Sequence, residues 1–162
     1  MEMIGARSRN AGSGDAPDLE SHLGYSLRRV SNHVSGAFAR ALQAKHTSVA
    51  EWVVLCSVRA RPGITPGELA RTLDLTRGAV SKVIDKLEGK NWIRRSTRAE
   101  DSRVHPLSVT RAGNRILPQL AKIADENDRE FFAVLDAKES AELRRLLDKL
   151  AEFHKIRAVP ME

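Results

Sequence analysis

The stretch from Ile64 to Thr110 constrains the fold more than any other part of this 162-residue chain. It opens with a complete helix start. Thr65 is placed to cap, Pro66 occupies the first helical position, and Glu68 follows the cap by three residues. A hydroxyl cap and a carboxylate at that spacing satisfy each other's backbone donors. Proline there lacks only a donor that a first turn leaves unpaired, and Ile64 can staple to Leu69 across the start. After Leu73-Asp74-Leu75 a second helix begins, with Thr76 as its cap. Val80, Val83, Ile84 and Leu87 recur at the spacing of one helix face. Gly78, Ser81, Lys82, Asp85 and Lys86 fall on the opposite face, with Arg77 at the N-terminal end. Two helices joined by so short a turn predict a helix-turn-helix, whose second helix enters a DNA major groove.

Asn91-Trp92-Ile93 ends the second helix, and Asn is one of the few non-glycine residues that tolerates the left-handed conformation of a helix C-terminus. Two strand-like runs follow around a charged loop: Trp92 to Thr97, Arg98 to Arg103, and Val104 to Val109. They predict a β-hairpin wing whose first strand and tip carry Arg94, Arg95, Arg98 and Arg103 against Glu100 and Asp101. A cationic hairpin beside a recognition helix can reach the DNA backbone or the narrow minor groove, where Arg is favoured. Pro106 falls in the second run, where it removes a ladder donor, so that strand is expected to pair on one side only.

From about Leu19 to about Phe153 the chain resembles the MarR (multiple antibiotic resistance regulator) family of winged-helix transcription factors. The resemblance is carried by Ser48 to Leu55, Gly67-Glu68-Leu69-Ala70, Leu75-Thr76, Val80-Ser81-Lys82, Asp85 to Glu88, Trp92-Ile93, Asp101-Ser102-Arg103, and Leu107 to Thr110 with Gly113. The Asp-x-Arg wing motif, followed by a strand and Thr-x-x-Gly, is its most specific part. Asn91 stands where the family usually has Gly. In the family the wing Asp braces the wing against a nearby Arg, and the wing Arg enters the minor groove. Asp101 and Arg103 match those two positions.

Around this centre the chain reads as one compact domain. Residues 1–17, rich in Gly, Ser and Ala, are expected to be a disordered arm, with Arg7 and Arg9 the residues that could touch DNA. A first helix is expected from an Asp18 cap to about Lys45, with Leu19, Leu23, Leu27, Val30, Val34, Phe38, Ala41 and Leu42 as its apolar stripe. Ser48 should cap a central, largely apolar helix to about Arg59. Thr110 should cap another, running to about Leu135, which Pro118 is expected to kink or restart. Asp136 with Glu139 caps a last helix, striped by Leu143, Leu146, Leu147, Leu150 and Phe153. The fold class is therefore mainly α with a small β-hairpin wing. Residues 18–46 and 111–162 supply helices for dimerisation, and 47–110 form the winged helix-turn-helix.

One recognition helix contacts few base pairs. A two-fold dimer sets two of them about 34 Å apart, one DNA turn, and reads an inverted repeat. The terminal stripes are the surface available for a homodimer, and the resemblance implies a dimer joined through its first and last helices. Within the DNA site, Arg77 and Ser81 are candidates for base edges, since Arg grips guanine bidentately. The N–H groups at Thr76 can face phosphate. Lys82 and Lys86 suit phosphate contacts, and Asp85 is expected to pair with one of them.

The net charge of +6 fits a polyanionic partner such as double-stranded DNA, although a basic protein need not bind nucleic acid. No apolar run approaches a membrane span, and the N-terminal residues lack the hydrophobic segment of a secretory signal. A single cysteine forms no internal disulfide, so the expected location is cytoplasmic. Cys56 sits on an apolar helix with no cationic sequence neighbour, as a core thiol does. His22, His33, His46, His105 and His154 have no metal-ligand spacing, so no metal or other cofactor is expected. His33 and Trp52 could line a cavity, and the resemblance implies that such a cavity takes a small aromatic or phenolic acid.

No nucleophile-base pair, phosphate loop or metal cluster marks an enzyme. The expected function is a ligand-responsive, homodimeric, sequence-specific DNA-binding regulator, acting as a repressor on an inverted-repeat operator. The alternatives are a winged helix used for protein–protein contact and a redox-responsive regulator switching through Cys56.

Overall fold

The structure is a computed structural model that describes residues 19–96 and 105–156. A 3-10 turn at Leu19–Ser21 leads to α1 (Leu23–Gln43), α2 (Val49–Ala60), α3 (Pro66–Thr72), α4 (Arg77–Gly89), β1 (Ile93–Arg95), β2 (Leu107–Val109), α5 (Arg111–Phe132) and α6 (Ala137–Phe153). The chain separates into two units, Met1–His33 and Val34–Glu162, with the boundary inside α1.

In the first unit the helix begins at Leu23 rather than at the expected Asp18 cap, which lies outside the described residues. The 3-10 turn takes its place, and the chain enters α1 through the bond from the Ser26 N–H to the His22 carbonyl at 3.1 Å. Leu19, Leu23, Leu27 and Val30, the start of the predicted stripe, are all exposed.

The core of the second unit is the winged helix. Leu42 from α1, Val54, Leu55 and Val58 from α2, Leu69 and Ala70 from α3, and Val80, Ile84 and Leu87 from α4 are buried together with Ile93, Leu107 and Leu120. Local sequence writes the starts of these helices. Ser48 with Glu51, Thr65 with Glu68, and Asp136 with Glu139 are complete capping boxes, and Thr76 and Thr110 cap α4 and α5. Each box satisfies donors that a bare helix start would leave unpaired, worth about 1 kcal/mol per cap.

Four left-handed non-glycine residues, His46, Asp74, Asn91 and Lys155, each follow a helix, and two of them shape the helix-turn-helix and wing. After α3, Asp74 (φ 54°) lets the Leu75 N–H reach back to the Ala70 carbonyl at 2.9 Å. After α4, Asn91 (φ 55°) donates to the Glu88 carbonyl at 2.8 Å and lets Trp92 reach Leu87 at 2.9 Å. The pair at Asn91 is that of a Schellman motif, the bond after Asp74 is its longer member, and Asn91 fills the left-handed position expected of it.

The wing is shorter in regular strand than the sequence suggested. β1 and β2 pair antiparallel, with Ile93 opposite Val109 and Arg95 opposite Leu107. The segment 97–104, with Arg98, Asp101 and Arg103, lies outside the described residues. Pro106 precedes β2. Its carbonyl accepts from the Ser96 N–H at 2.8 Å, and the reciprocal bond has no donor. The expectation of one-sided pairing is corrected one residue further on. Leu107 donates to the Ile64 carbonyl and accepts from the Gly63 N–H, each at 2.9 Å, so β2 is held on both sides.

The Thr-x-x-Gly motif after the wing has a packing cause. Thr110 Oγ1 accepts from the Gly113 N–H and donates to the Asn91 carbonyl at 2.6 Å, locking the start of α5 to the end of α4. A Cβ on Gly113 would lie 2.1 Å from the Trp92 carbonyl oxygen and 2.7 Å from Val109 Cγ1. α5 then runs without a break to Phe132, so Pro118 does not restart it. No residue of α6 is buried; Leu146, Leu147, Leu150 and Phe153 are exposed, Phe153 at 80%.

Candidate nucleic-acid interface

α4 offers the surface. Its buried residues Val80, Ile84 and Leu87 seat it on the core, which fixes the opposite face outward. Arg77, Gly78, Lys82, Asp85 and Lys86 are exposed there, and Ser81 is half-buried. Arg77, Ser81 and Asp85 follow one another at successive helical turns, as do Gly78, Lys82 and Lys86, so two parallel rows face out. Thr76 holds the helix start by accepting from the Ala79 N–H at 3.1 Å. The remaining first-turn N–H groups open outward at the positive end of the helix dipole, an arrangement suited to phosphate.

Two of the sequence-predicted residues, Asp85 and Arg95, are committed within the protein. Asp85 pairs with Arg95 of β1 at 2.8 Å, not with Lys82 or Lys86. The correction has a simple cause: β1 begins four residues after α4 ends and folds back beside its last turn. Arg95 also forms an ion pair with Glu88, and its backbone N–H donates to Glu88 Oε1 at 2.9 Å. Arg94, whose side chain points to the other side of the strand, is exposed and donates from Nε to Ser108 Oγ at 3.1 Å. Lys82 and Lys86 enter no ion pair among the described residues and stay exposed.

The end of α4 is anchored by a contact that the sequence reading missed. Lys90 Nζ lies 2.6 Å from Glu51 Oε1 and 2.6 Å from the His46 carbonyl, and sits 4.9 Å above the centre of the Trp92 ring. Glu51 is a buried acid in an apolar helix, with its side chain 6% exposed. Burial pushes its carboxyl up, but the bonds from Lys90 and from the Ser48 N–H outweigh that and hold it below its ordinary value. The Ser48-x-x-Glu51 spacing was a legible signal for the capping half of this arrangement. The ammonium partner 39 residues away was not.

Cys56 is half-buried, and burial pushes its thiol up to about 11, which suppresses the reactive thiolate. Trp52 is half-buried and packs against the core, whereas His33 is exposed on α1. A cleft of about 300 Å³ between α5 and α6 is walled by Phe132, Leu135, Leu143 and Leu147, with neither His33 nor Trp52 in its lining. Among the described residues no helix is long and apolar enough to cross a membrane.

Comparison with known proteins agrees with this geometry. Residues 47–105 match the model of the MarR family. The chain is 30% identical over 129 residues to the multiple antibiotic resistance protein MarR of Escherichia coli strain K12, covering 79% of this chain and 90% of that one. It is 29% identical over 136 residues to the HTH-type transcriptional repressor Rv2887 of Mycobacterium tuberculosis, covering 84% and 94%. A crystal structure of a cysteine-to-serine mutant of the E. coli protein complexed with operator DNA superposes with a TM-score of 0.70, at 29% identity over 79% of this chain and 92% of that one. The structure of Rv2887 complexed with salicylic acid gives a TM-score of 0.64, at 29% identity over 84% and 97%.

Proposed function

The chain belongs to the MarR family and is a DNA-binding transcriptional regulator, and from that premise we propose that it is a homodimeric repressor of an inverted-repeat operator, released by a small aromatic acid. The observation that carries the proposal is the pair of outward rows on α4, with Lys82 and Lys86 exposed and unpaired among the described residues. Arg77 and Ser81 would read base edges, the N–H groups after Thr76 would meet phosphate, and Lys82 and Lys86 would neutralise phosphates. Arg94 on the wing, with Arg98 and Arg103 from the sequence, would reach the flanking backbone or minor groove, and Asp101 would brace the wing.

The homodimer is supported by apolar surface that has no cover within its own element. α6 leaves Leu146, Leu147, Leu150 and Phe153 exposed, and α1 leaves Leu23, Leu27 and Val30 exposed. An exposed apolar stripe of that kind marks an association site. A second copy would bury it and set the two recognition helices one DNA turn apart. The operator complex and the salicylic acid complex of the two relatives support the DNA and effector parts of the reading. An effector would act by binding one separation of the recognition helices more tightly than another. Trp52, half-buried against the core, remains a proposed ligand contact of the second unit, and His33, exposed on α1, one of the first. The elevated Cys56 thiol argues against the redox alternative.

The test is selection of duplexes from a randomised pool by the purified protein, followed by footprinting. Enrichment of a two-fold site with half-sites one turn apart, and its release by salicylate, supports the reading. A single unrepeated half-site, or no enrichment, contradicts it.

A further inference from the structure

We propose that Arg95 is a positioning residue that sets the wing against the recognition helix, and not one of the groups that neutralise DNA phosphates. The proposal rests on the reading of α4 as the DNA-reading helix. Three contacts carry it. The Arg95 guanidinium is shared between Glu88 and, at 2.8 Å, Asp85. Its backbone N–H donates to Glu88 Oε1 at 2.9 Å. Asp85 and Glu88 lie three residues apart on α4, so both carboxylates face the same strand. Side chain and main chain of one strand residue are thus tied to the last turns of the helix, which fixes both the height and the roll of β1 beside α4.

The charge balance separates Arg95 from its neighbours. One guanidinium divided between two carboxylates leaves the cluster with a net negative charge, so it offers nothing to a phosphate. The Arg95 side chain is 31% exposed and that of Glu88 27%, while Lys82 and Lys86 stand exposed on the outer rows. Asp85, 59% exposed on the row of Arg77 and Ser81, would otherwise hold a bare negative charge at the DNA face. The arrangement needs the planar fork of arginine, because an ammonium is a point charge and cannot hold two carboxylates with the same directionality.

The test compares the wild-type protein with Arg95→Met, Glu88→Gln and Arg95→Lys. The probes are a duplex selected by the wild-type protein from a randomised pool and a random duplex of equal length, across a salt series, with melting temperatures in parallel. If Arg95 positions the wing, Arg95→Met and Glu88→Gln each weaken binding to the selected duplex by about tenfold, the scale of a 1.4 kcal/mol change. Binding to random DNA then changes little, the salt slope is kept, and the double variant is no worse than the weaker single one. Arg95→Lys recovers part of the loss. If Arg95 is a phosphate contact, Arg95→Met flattens the salt slope by about one per protomer and weakens both duplexes alike. Glu88→Gln then tightens binding by freeing the guanidinium. That opposite sign overturns the proposal. Equal losses on both duplexes that track a fall in melting temperature overturn it too, as a general effect on stability. A wild-type protein with no salt-sensitive binding removes the DNA reading of α4 and the positioning role with it.

Discussion

Replacing Lys90 by Met should cost the protein more stability than any exposed substitution on α4. Met keeps most of the aliphatic stem, so the change isolates the ammonium group. In the native structure that group lies 2.6 Å from Glu51 Oε1, 2.6 Å from the His46 carbonyl and 4.9 Å above the Trp92 ring. Removing one partner of a buried pair leaves an uncompensated charge and costs about 3–5 kcal/mol when the pair is fully buried. The Lys90 side chain is 27% exposed, so water screens part of the pair, and a loss of about 2–4 kcal/mol is the better figure for this site. For a chain of this length that is a fall in melting temperature of about 5–15 °C, read by circular dichroism at fixed protein concentration.

The pH dependence gives the same prediction a sign. The Glu51 carboxyl is held below its ordinary value. Its contribution is therefore present above the unfolded pKa, about 4.3, and is lost as the pH falls through the folded value. In the Lys90→Met variant burial acts on Glu51 with less opposition and raises its pKa, so protonation relieves the variant. The gap between wild type and variant should be widest near neutral pH and should narrow as the pH falls toward 4. A gap below about 2 °C at pH 7, or one that stays constant into acid, would refute the view that this pair anchors α4.

Three further outcomes follow from the same structure. Gly113→Ala should destabilise by about 1–3 kcal/mol, the usual scale of overpacking, because the new methyl group meets the Trp92 carbonyl oxygen; an unchanged melting temperature would show that α5 can withdraw freely. Cys56 should react slowly with iodoacetamide at pH 8 in the folded protein, since its thiol is pushed up to about 11, and Cys56→Ser should leave oxidant response and DNA binding unchanged; rapid alkylation would revive the redox alternative. Leu147→Glu with Leu150→Glu should convert a dimer to a monomer in sedimentation velocity while keeping the helical signal, because both side chains are exposed on α6; a variant with the sedimentation of the wild type would move the interface elsewhere.

What the sequence disclosed was local. Caps at Thr65, Thr76, Thr110 and Asp136 act over three residues, and each is found where its spacing placed it. The apolar face of α4 and the left-handed Asn91 are of the same kind. Asp74 adopts the same left-handed conformation, and its place between Leu73 and Leu75 in the turn was the available signal. What stayed hidden depends on tertiary placement. Asp85 has two lysines within helical reach, yet the strand that folds back brings Arg95 to it instead. The bonds of Leu107 to Gly63 and Ile64 join segments that no period or motif connects. Lys90 and Glu51 meet because α4 packs across α2, and a lysine at a helix end otherwise reads as a solvated charge.

The most direct test of the DNA reading is a gel shift across a salt series, using the intergenic duplex upstream of the protein's own gene. Lys82 and Lys86 from two protomers would neutralise four phosphates, which predicts a slope of log Kobs against log salt of about −3.6 or steeper. A steep slope with clear preference over random DNA is the result expected of a dimeric winged-helix regulator. A slope near zero, or no binding at low salt, would contradict the assignment of the outer face of α4 to DNA.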